Sequence, residues 1–336
     1  MEISNDTLGK ALGVPIKLKD GRELLAVILK YTFAVSARGQ VEPALDGPEP
    51  YLVDEYNGED PSTSSIRKPS DLFDEKPGTD VLLVGHAHPP VGKKTFVDVG
   101  FSVGPMRKAV RVHGVRVWQA GTFGGLAPGP ARPISEPIPL LYELAWGGMD
   151  MSDPARPLGE PRNYVGRGVA RDARKLVGEP AAQIEAPESP LGRGDNVPAG
   201  LGAVHRHWQP RIAFAGTYDQ AWKENKMPLP PDDYDPRFNI SVPHDQWSPR
   251  PLQGDEPIEV TGATPEGLWR FQLPRLTPGF SSFLGEKRRE HRTHLESILI
   301  DADAMRVELT FRAGVPLPPK YEQLRKVEVF EKRLLG

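Results

Sequence analysis

The sequence predicts a mainly β protein, built of sandwich-like antiparallel sheets with a proline-rich irregular middle segment and one or two short helices. Glycine and proline supply 34 and 37 of the 336 residues, about a fifth of the chain against about 12 % in average usage. Such a chain contains many turns, and several segments between them alternate apolar and polar residues with a period of two. Helix signals are few, and the best one is confined to a short stretch.

Alternation is clearest in the first part of the chain, residues 1–150, which we predict to be an N-terminal β-sandwich-like domain. From Val27 to Ser36, one set of alternate positions is large and apolar, namely Val27, Leu29, Tyr31, Phe33 and Val35. The other set is Ile28, Lys30, Thr32, Ala34 and Ser36. Residues Val97 to Val103 alternate valine and phenylalanine with aspartate, glycine and serine. Each stretch therefore predicts a half-buried strand.

The same region continues with a strand that changes phase. From Ala109 to Trp118 the apolar positions slip by one residue at His113-Gly114, which predicts a bulge or a tight turn at that point. The apolar stretch from Leu140 to Trp146 is expected to be the strand that closes this first set of sheets.

Residues 151–250 are expected to form an irregular segment rich in proline, glycine and aromatic residues. The best helix signal of the chain lies here, as a capping box with Thr217 at the N-cap and Gln220 at N3. Trp222 follows on the apolar face, and Pro228 lies beyond the end of the pattern. One short helix is therefore predicted inside this segment.

Residues 251–336 are expected to form β-hairpins that pack on the rest of the molecule. The turn Thr264 to Gly267 places proline and glycine where a type I turn favours them. Tyr321 to Lys332 is compatible with either a helix or a strand. The two predicted hairpins pair Ile258 to Thr261 with Leu268 to Leu273, and Leu295 to Ile300 with Met305 to Arg312.

Charge and composition exclude several functional classes. The 42 lysines and arginines against 45 aspartates and glutamates leave a formal charge of -3, which gives no electrostatic support for binding nucleic acid or an anionic membrane. The chain has no cysteine, so disulfides, thiolate zinc sites and cysteine nucleophiles are excluded. No signal peptide pattern opens the sequence, and the longest apolar run, Leu24 to Leu29, is too short to span a bilayer. We therefore expect a cytoplasmic protein without a cofactor.

Residues Gly100 to Gly104 match the G-x-S-x-G motif, in which a strand-to-helix turn exposes a nucleophilic serine. A hydrolase using the central Ser102 is therefore one alternative function. The surroundings favour a polar strand residue instead, because Ser102 keeps the alternation of its strand and Gly104 is followed by Pro105 and another strand. The chain is accordingly expected not to be an enzyme.

Histidine pairs offer a second enzymatic alternative, a metal site. His86 and His88, like His205 and His207, have the H-x-H spacing that puts two imidazoles on one face of a strand. A metallohydrolase barrel with such ligands needs repeated strand-helix units and a further carboxylate ligand. Helical patterns are too few for that barrel, so we predict that the protein holds no metal.

The stretch from Asp232 to Arg237 concentrates three carboxylates in six residues. Such a cluster could bind a hard cation or act as an acid and a base. Aspartates beside prolines more commonly form Asx turns and pair with a nearby arginine, and no EF-hand spacing accompanies them. A structural role is the favoured interpretation.

Residues 198–249 contain three of the six tryptophans and eight of the 37 prolines. Proline fixes the backbone and large rings need partners, so this segment is expected to be ordered although irregular. At least half of its aromatic residues are expected to be core, and the others, with arginines, are the types that dominate protein interfaces. The candidate partner-binding residues are Trp208, Arg211, Tyr218, Trp222, Asp235 and Arg237.

The same segment carries a family resemblance in the stretches PAGLG, HWQPR, AGTYDQAW, PPDDYDPRFN and PHDQ. Further matching stretches are Asp54 to Pro90, Val103 to Trp118 and Asn163 to Gly168. Over about Asp54 to Gln246 the chain resembles an accessory family of bacterial type VI secretion systems, formerly a domain of unknown function. It departs from that family at Phe238, where two aromatic residues are expected, and near Tyr164, where a proline is expected.

The resemblance implies a non-enzymatic adaptor or chaperone for secreted effectors. Such a protein would bind an effector, or its PAAR-like or VgrG-like spike module, and assist its loading onto the secretion apparatus. It would cover an apolar or unpaired-strand surface of the client and stay behind when the client docks. The implied partners are therefore proteins, with neither nucleic acid nor membrane among them.

Overall fold

The computed structural model describes residues 2–89, 91–121, 125–193 and 195–332. These residues form a mainly β protein, which confirms the predicted fold class, and their one α-helix, α1, spans Gln220–Asn225. Short 3-10 helices lie at Tyr142–Leu144, Ala173–Leu176, Arg211–Phe214, Pro236–Asn239, His244–Gln246 and Tyr321–Gln323. No helix within these ranges is long and apolar enough to cross a membrane.

The strands are numbered in chain order. From β1 to β13 they are β1 (Glu2–Asn5), β2 (Lys10–Lys17), β3 (Glu23–Val35), β4 (Val41–Pro43), β5 (Glu55–Tyr56), β6 (Ile66–Lys68), β7 (Thr79–Val84), β8 (His86–Ala87), β9 (Phe96–Val103), β10 (Met106–His113), β11 (Trp118–Ala120), β12 (Leu126–Pro128) and β13 (Ile138–Pro139). From β14 onward they are β14 (Trp146–Gly147), β15 (Met149–Asp150), β16 (Leu158–Gly159), β17 (Arg167–Gly168), β18 (Ile184–Glu185), β19 (Trp247–Ser248), β20 (Pro257–Thr261), β21 (Leu268–Gln272), β22 (Pro278–Leu284), β23 (Lys287–His291), β24 (Leu295–Asp301), β25 (Arg306–Pro316) and β26 (Leu324–Glu331).

The largest sheet joins strands that are distant in sequence. Its order is β19-β7-β24-β25-β3-β2, with β4 also pairing to β3, and we call it the large sheet. Its neighbours are antiparallel except β24 and β7, which run parallel. The pairing of β3 with β25 runs from Leu24 opposite Pro316 to Ala34 opposite Arg306. Strands near the two ends of the described chain are therefore neighbours at the centre of the sheet.

Two further sheets enclose an apolar core with the large sheet. A five-stranded antiparallel sheet has the order β18-β10-β9-β20-β21, and a four-stranded sheet has the order β1-β26-β22-β23. Side chains from all three sheets pack in one hydrophobic cluster, as Leu29, Phe101, Trp269, Phe280 and Val327 illustrate. The sheets therefore pack face to face around a shared core, as a sandwich does.

The predicted boundaries near residues 150 and 250 do not separate sheets. Strand β20, from the last segment, pairs with β9 from the first, and β24 and β25 lie between β7 and β3. One C-terminal hairpin thus extends the five-stranded sheet at its edge, and the other is inserted into the large sheet. Residues 151–250 contribute edge strands to them, namely β18 and β19.

Local turn chemistry predicted the hairpins well and the short apolar stretches less well. Both C-terminal hairpins are confirmed, and in the first of them the Gly267 nitrogen donates to the Thr264 oxygen at 2.9 Å. The phase slip is confirmed as the break between β10 and β11. The strand predicted from Leu140 to Trp146 is wrong, because Tyr142–Leu144 forms a 3-10 helix there. Tyr321 to Lys332 contains a 3-10 turn and then β26.

Both faces of the large sheet are buried at its inner strands β7, β24, β25 and β3, but the two faces differ in chemistry. One face, the core face, points apolar side chains into the shared cluster, among them Val27, Leu29, Ile298, Leu309 and Phe311. The alternate residues form the polar face, which includes Lys30, Asp80, Ser297, Glu308, Thr310 and Arg312, all of them buried. The prediction of a half-buried strand at 27–35 is therefore wrong. Residues 51–76, the strap, and residues 198–247, the binding segment, cover the polar face.

Ion pairs and hydrogen bonds satisfy the charges of the polar face. Lys30 Nζ lies 2.6 Å from Asp71 Oδ2 of the strap and 3.4 Å from Glu308 Oε2. The Glu308 carboxylate also accepts from Lys68 Nζ at 3.0 Å and from the Tyr51 hydroxyl at 3.1 Å. A buried charge is tolerated only when such partners replace the water it has lost.

A second group of charges joins the same face to the strap. Arg312 donates from Nε to Glu296 Oε2 at 3.1 Å, and its guanidinium lies 3.4 Å from the centre of the Phe73 ring. Lys76 Nζ donates to Asp80 Oδ2 at 2.7 Å. The strap is therefore held largely by directional polar contacts, whereas the core face is held by apolar contact.

Candidate partner-binding cleft

Buried polar side chains hold the binding segment on the polar face. Gln246 is fully buried, and its Nε2 donates to the backbone oxygens of Val81 and Leu201 at 2.9 and 2.8 Å. Ser241 donates to Asp80 Oδ2 from its backbone nitrogen at 2.8 Å and from its hydroxyl at 2.7 Å. Because Asp80 and Val81 belong to β7, the segment is attached directly to the large sheet.

Aromatic and amide side chains hold the middle of the segment. Asn239 Nδ2 donates to Asp74 Oδ1 of the strap at 2.9 Å, and the Tyr234 hydroxyl donates to the same oxygen at 3.1 Å. Trp208 packs edge-on against Tyr142, with 5.5 Å between the ring centroids. An irregular backbone is thus fixed at several separate points.

Helix α1 lies within the segment, but its N-cap is not the predicted one. The Asp219 carboxylate caps the helix by accepting from the Trp222 backbone nitrogen at 2.8 Å. Thr217 instead donates its hydroxyl to Asp233 Oδ2 at 2.7 Å. A carboxylate at the N-cap has the advantage of a full negative charge beside the positive end of the helix.

A cleft of about 280 Å³ opens between the short turns of the binding segment. Its mainly apolar walls are formed by Pro210, Phe214, Ile240, Val242, His244 and Trp247, together with Arg211 and Arg237. Behind the walls, Ile240 and Val242 share a hydrophobic cluster with Leu82 and Leu299 of the large sheet. A concave, mainly apolar surface with a few polar groups is the usual form of a ligand site.

The rim arginine of the cleft has a carboxylate partner. Arg237 is exposed, and its guanidinium lies 4.3 Å from the centre of the Phe214 ring. Its Nη2 pairs with Asp235 Oδ2 at 2.6 Å, and its backbone nitrogen donates to Asp235 Oδ1 at 2.9 Å. Asp235 therefore shapes the rim by fixing Arg237 against an aromatic wall.

The inner arginine of the cleft has no such partner. Arg211 is 4 % exposed, and it donates from Nε and Nη1 to the backbone oxygens of Phe238 and Val204, at 2.7 and 2.8 Å. Among the residues that the structure describes, no carboxylate forms an ion pair with it. Burial, with Arg206 nearby, lowers the pKa of Arg211 to about 10, so the group stays charged at neutral pH.

A protein-family model matches residues 20–312, a range that includes the cleft, the strap and nearly all of the large sheet. The family is DUF2169, described as an uncharacterized protein conserved in bacteria. The chain belongs to this family. Comparisons with curated proteins and with solved structures found no match.

In this DUF2169 chain, the six predicted partner-binding residues do not form one surface. Trp208 is 3 % exposed, packs in a hydrophobic cluster with Tyr142 and Val204, and does not line the cleft, so the structure places it in the core. Tyr218, just before α1, packs edge to face against Trp222 of α1, with 4.7 Å between the ring centroids, and neither residue lines the cleft. Arg211 and Arg237 do come together there, and Asp235 joins them through its ion pair with Arg237.

Sequence reasoning missed three aromatic walls of the cleft. His244 and Trp247 belong to one short turn after Pro243, and their ring centroids are 6.0 Å apart. Phe214 ends the 3-10 turn that Arg211 begins. Both 3-10 turns have a proline at the N-cap and an aromatic ring at or near the end, and this pattern is the sequence signal that could have identified the three residues.

The acidic stretch of the DUF2169 chain does not gather its carboxylates at one point. Each of Asp232, Asp233 and Asp235 has a separate partner. In that order the partners are Lys226, Thr217 and Arg237. The arrangement is that of turns and ion pairs, as the structural interpretation expects.

The histidine pairs do not converge on a common point either. His86 Nδ1 lies 2.8 Å from Asp303 Oδ2, whereas the rings of His205 and His207 are 5.7 Å apart in the binding segment. Within the described ranges, no group of three or more histidines, aspartates and glutamates could hold a metal ion. The alternative of a histidine-based metal site therefore receives no geometric support from these residues.

Ser102 is the last residue but one of strand β9. It is opposite Arg107 of β10 on one side and opposite Glu259 of β20 on the other. Residues 96–113 are all described and form a strand, a tight turn at Gly104 and a second strand. The strand-to-helix turn that a nucleophilic serine needs is therefore not formed at this motif.

Proposed function

We propose that this DUF2169 protein is a non-enzymatic, cytoplasmic adaptor or chaperone of a type VI secretion system. It would bind a secreted effector, or the PAAR-like or VgrG-like spike module of that effector, and assist its loading. The observation that carries the proposal is the cleft, an apolar, aromatic- and arginine-lined concavity on a segment anchored to a sheet. The type of client comes from the family resemblance of the sequence.

The binding segment is already anchored to the large sheet and the strap in the free protein, and this favours binding of a client. Gln246, Ser241 and Asn239 already fix the backbone around the cleft through buried hydrogen bonds. Association then costs less conformational entropy than it would with a loose loop. Tryptophan and arginine are also the residues that most often dominate binding energy at interfaces, and Trp247 and Arg237 line this cleft.

Co-expression with the products of neighbouring genes tests the proposal. We expect an effector or a spike component to co-purify with the tagged protein, as identified by mass spectrometry. Arg237→Glu reverses a charge at the cleft rim and is expected to weaken client binding by about 2 kcal/mol or more. Arg270→Glu is the matched control, because Arg270 is also exposed and also pairs with a carboxylate, Glu259, at 2.7 Å, but away from the cleft.

Two results would contradict the proposal. In one, no effector or spike component is enriched over a tag-only control. In the other, the variants at Arg237 and Arg270 weaken client binding equally, which would place the binding surface elsewhere. A melting temperature close to that of the parent protein is expected for both variants, because exposed ion pairs contribute little to stability.

A further inference from the structure

Arg211 is a buried cation that forms no ion pair with the two carboxylates whose charge it feels, Asp54 and Asp80. Asp54 accepts from the Ser70 nitrogen at 2.7 Å through Oδ1 and from Arg206 Nε at 3.2 Å through Oδ2. Asp80 Oδ2 accepts from Lys76 and from Ser241. Neither carboxylate forms an ion pair with Arg211, although both are close enough to favour its charge. Within the described ranges, the hydrogen-bond partners of its guanidinium are therefore backbone carbonyl oxygens and not a carboxylate.

The guanidinium of Arg211 has donor capacity left over, and Arg211 lines the cleft. Nε and Nη1 donate to backbone oxygens, and no hydrogen bond from Nη2 is formed to any residue within the described ranges. Arg211 is also one of the residues that line the cleft. Buried charges in proteins are normally paired, and a guanidinium pairs best with a carboxylate, which it can meet through two parallel hydrogen bonds.

We propose that Arg211 is the receptor for an acidic side chain of the client, so that the cleft recognises an aspartate or glutamate flanked by a large apolar residue. The carboxylate would supply the missing counter-ion, and the apolar neighbour would lie against Phe214, Val242 and Trp247. This inference rests on the proposed function only for the client being a protein. Arg211 thereby becomes the residue that determines specificity, and Arg237 a contact on the rim.

The cleft itself favours this kind of ligand. A volume of about 280 Å³ is at the small end for a ligand site, which suits one or two side chains rather than a helix. Its mainly apolar walls strengthen an ion pair formed inside it, because the surroundings are less polar than water. A neutral amide in place of the carboxylate would form only a weaker hydrogen bond with Arg211 and would gain no ion pair.

Capped peptides test the inference on the full-length protein. The probe is acetyl-Ser-Glu-Phe-Ser-amide, and its matched control has glutamine in place of glutamate. Nuclear magnetic resonance titration follows both affinity and the arginine Nε–H signals. We expect the glutamate peptide to bind at least about tenfold more tightly than the glutamine peptide and to shift the Arg211 signal. A third peptide, with glutamine and a free carboxyl terminus, should bind as weakly as the control.

Three results would overturn the inference: equal binding of the first two peptides, binding without a shift of the Arg211 signal, or tight binding of the free-terminus peptide. Arg211→Lys keeps the charge but not the fork, and should lose most of the discrimination between glutamate and glutamine. Should that variant fold poorly, the comparison of peptides on the parent protein still decides. Client capture that persists in the absence of any peptide discrimination would refute this inference and leave the proposed function standing. Discrimination between the peptides, with no effector or spike component among the co-purified proteins, would support this inference and contradict the proposed function.

Discussion

On the core face of the large sheet, Leu29 and Leu309 are completely buried among apolar side chains. One residue further along the same two strands, Lys30 is 3 % exposed and Glu308 4 % exposed, but both lie among charges. The two faces are thus almost equally shielded from solvent, but different interactions stabilise them. Apolar contact scales with area and has little direction, whereas buried ion pairs depend on every partner being present.

This difference matters for the candidate site because the binding segment is attached to the polar face. Ser241 meets Asp80 there, and the walls of the cleft share apolar contacts with Leu82 and Leu299. Directional bonds set the position of a segment more narrowly than apolar contact alone does. The core face therefore holds the fold together, and the polar face positions the cleft.

The largest expected effect comes from breaking one buried ion pair. Arg312→Met leaves the Glu296 carboxylate buried without its cation and is expected to lower the free energy of unfolding by about 3–5 kcal/mol. The double variant Arg312→Met with Glu296→Leu removes both charges and should regain most of that loss. Urea denaturation of the three proteins measures it. A double variant no more stable than the single one would show that the pair is not what the polar face depends on.

The next effect is expected at the joint between the polar face and the binding segment. Ser241→Ala removes a buried hydrogen bond to the charged Asp80 and should lower the free energy of unfolding by about 1.5–3 kcal/mol. Ser282→Ala is the matched control, since that buried hydroxyl pairs with His291 on the four-stranded sheet at 2.8 Å. Amide hydrogen exchange should become faster in residues 198–247 for the first variant alone. Equal exchange in both variants would contradict the idea that this joint positions the cleft.

A pair of tyrosines compares the two faces at alkaline pH. Burial raises the pKa of Tyr31, on the core face, and of Tyr51, on the strap, well above the usual value. A tyrosine whose pKa is raised in the folded state adds to the free energy of unfolding. That contribution is complete below the unfolded pKa of about 10 and is lost as the pH rises above it toward the folded pKa. Each tyrosine should add a slope of about 1.4 kcal/mol per pH unit above pH 10. Tyr31→Phe and Tyr51→Phe should each remove the slope that one tyrosine contributes. The measurement is the free energy of unfolding of the parent and of both variants between about pH 9 and 11.

The smallest effect is expected from a conservative change on the core face. Ile298→Val removes one methyl group from a completely buried position and should cost about 0.5–1.5 kcal/mol. Thr310→Val, on the polar face, keeps the side-chain shape but loses the hydroxyl that donates to Asp71 Oδ1 at 3.2 Å. It should cost a similar amount or more, since the lost partner is charged. A Thr310→Val protein as stable as the parent would weaken the contrast between the faces.

Local sequence signals predicted those parts of the fold that depend on near neighbours. The turn from Thr264 to Gly267 and the alternation of β25 identified two hairpins, because both signals act within a few residues. Alternation could not reveal that the polar face is covered. Lys30 and Glu308 are 278 residues apart in sequence, and an exposed polar face and a buried, ion-paired one have the same pattern.

The candidate site was predicted as a segment and not as a set of residues. Aromatic and proline content identified residues 198–249, which contain the cleft. Residue type could not separate Trp208, which packs against Tyr142, from Trp247, which lines the cleft, because both are tryptophans near prolines. Nor could it show that Arg211 forms no ion pair with a carboxylate of the described residues, since that depends on where Asp54 and Asp80 lie in the folded chain.

The pairing of β3 with β25 also has a consequence for synthesis on the ribosome. Lys30 is translated 278 residues before Glu308, which corresponds to roughly 14–56 s at usual elongation rates of about 5–20 residues per second. During that interval β3 can pair with β2 on one edge, but its other edge lacks its native partner, β25. A protein proposed to shelter the unpaired surfaces of a client thus exposes such a surface itself for most of its own translation.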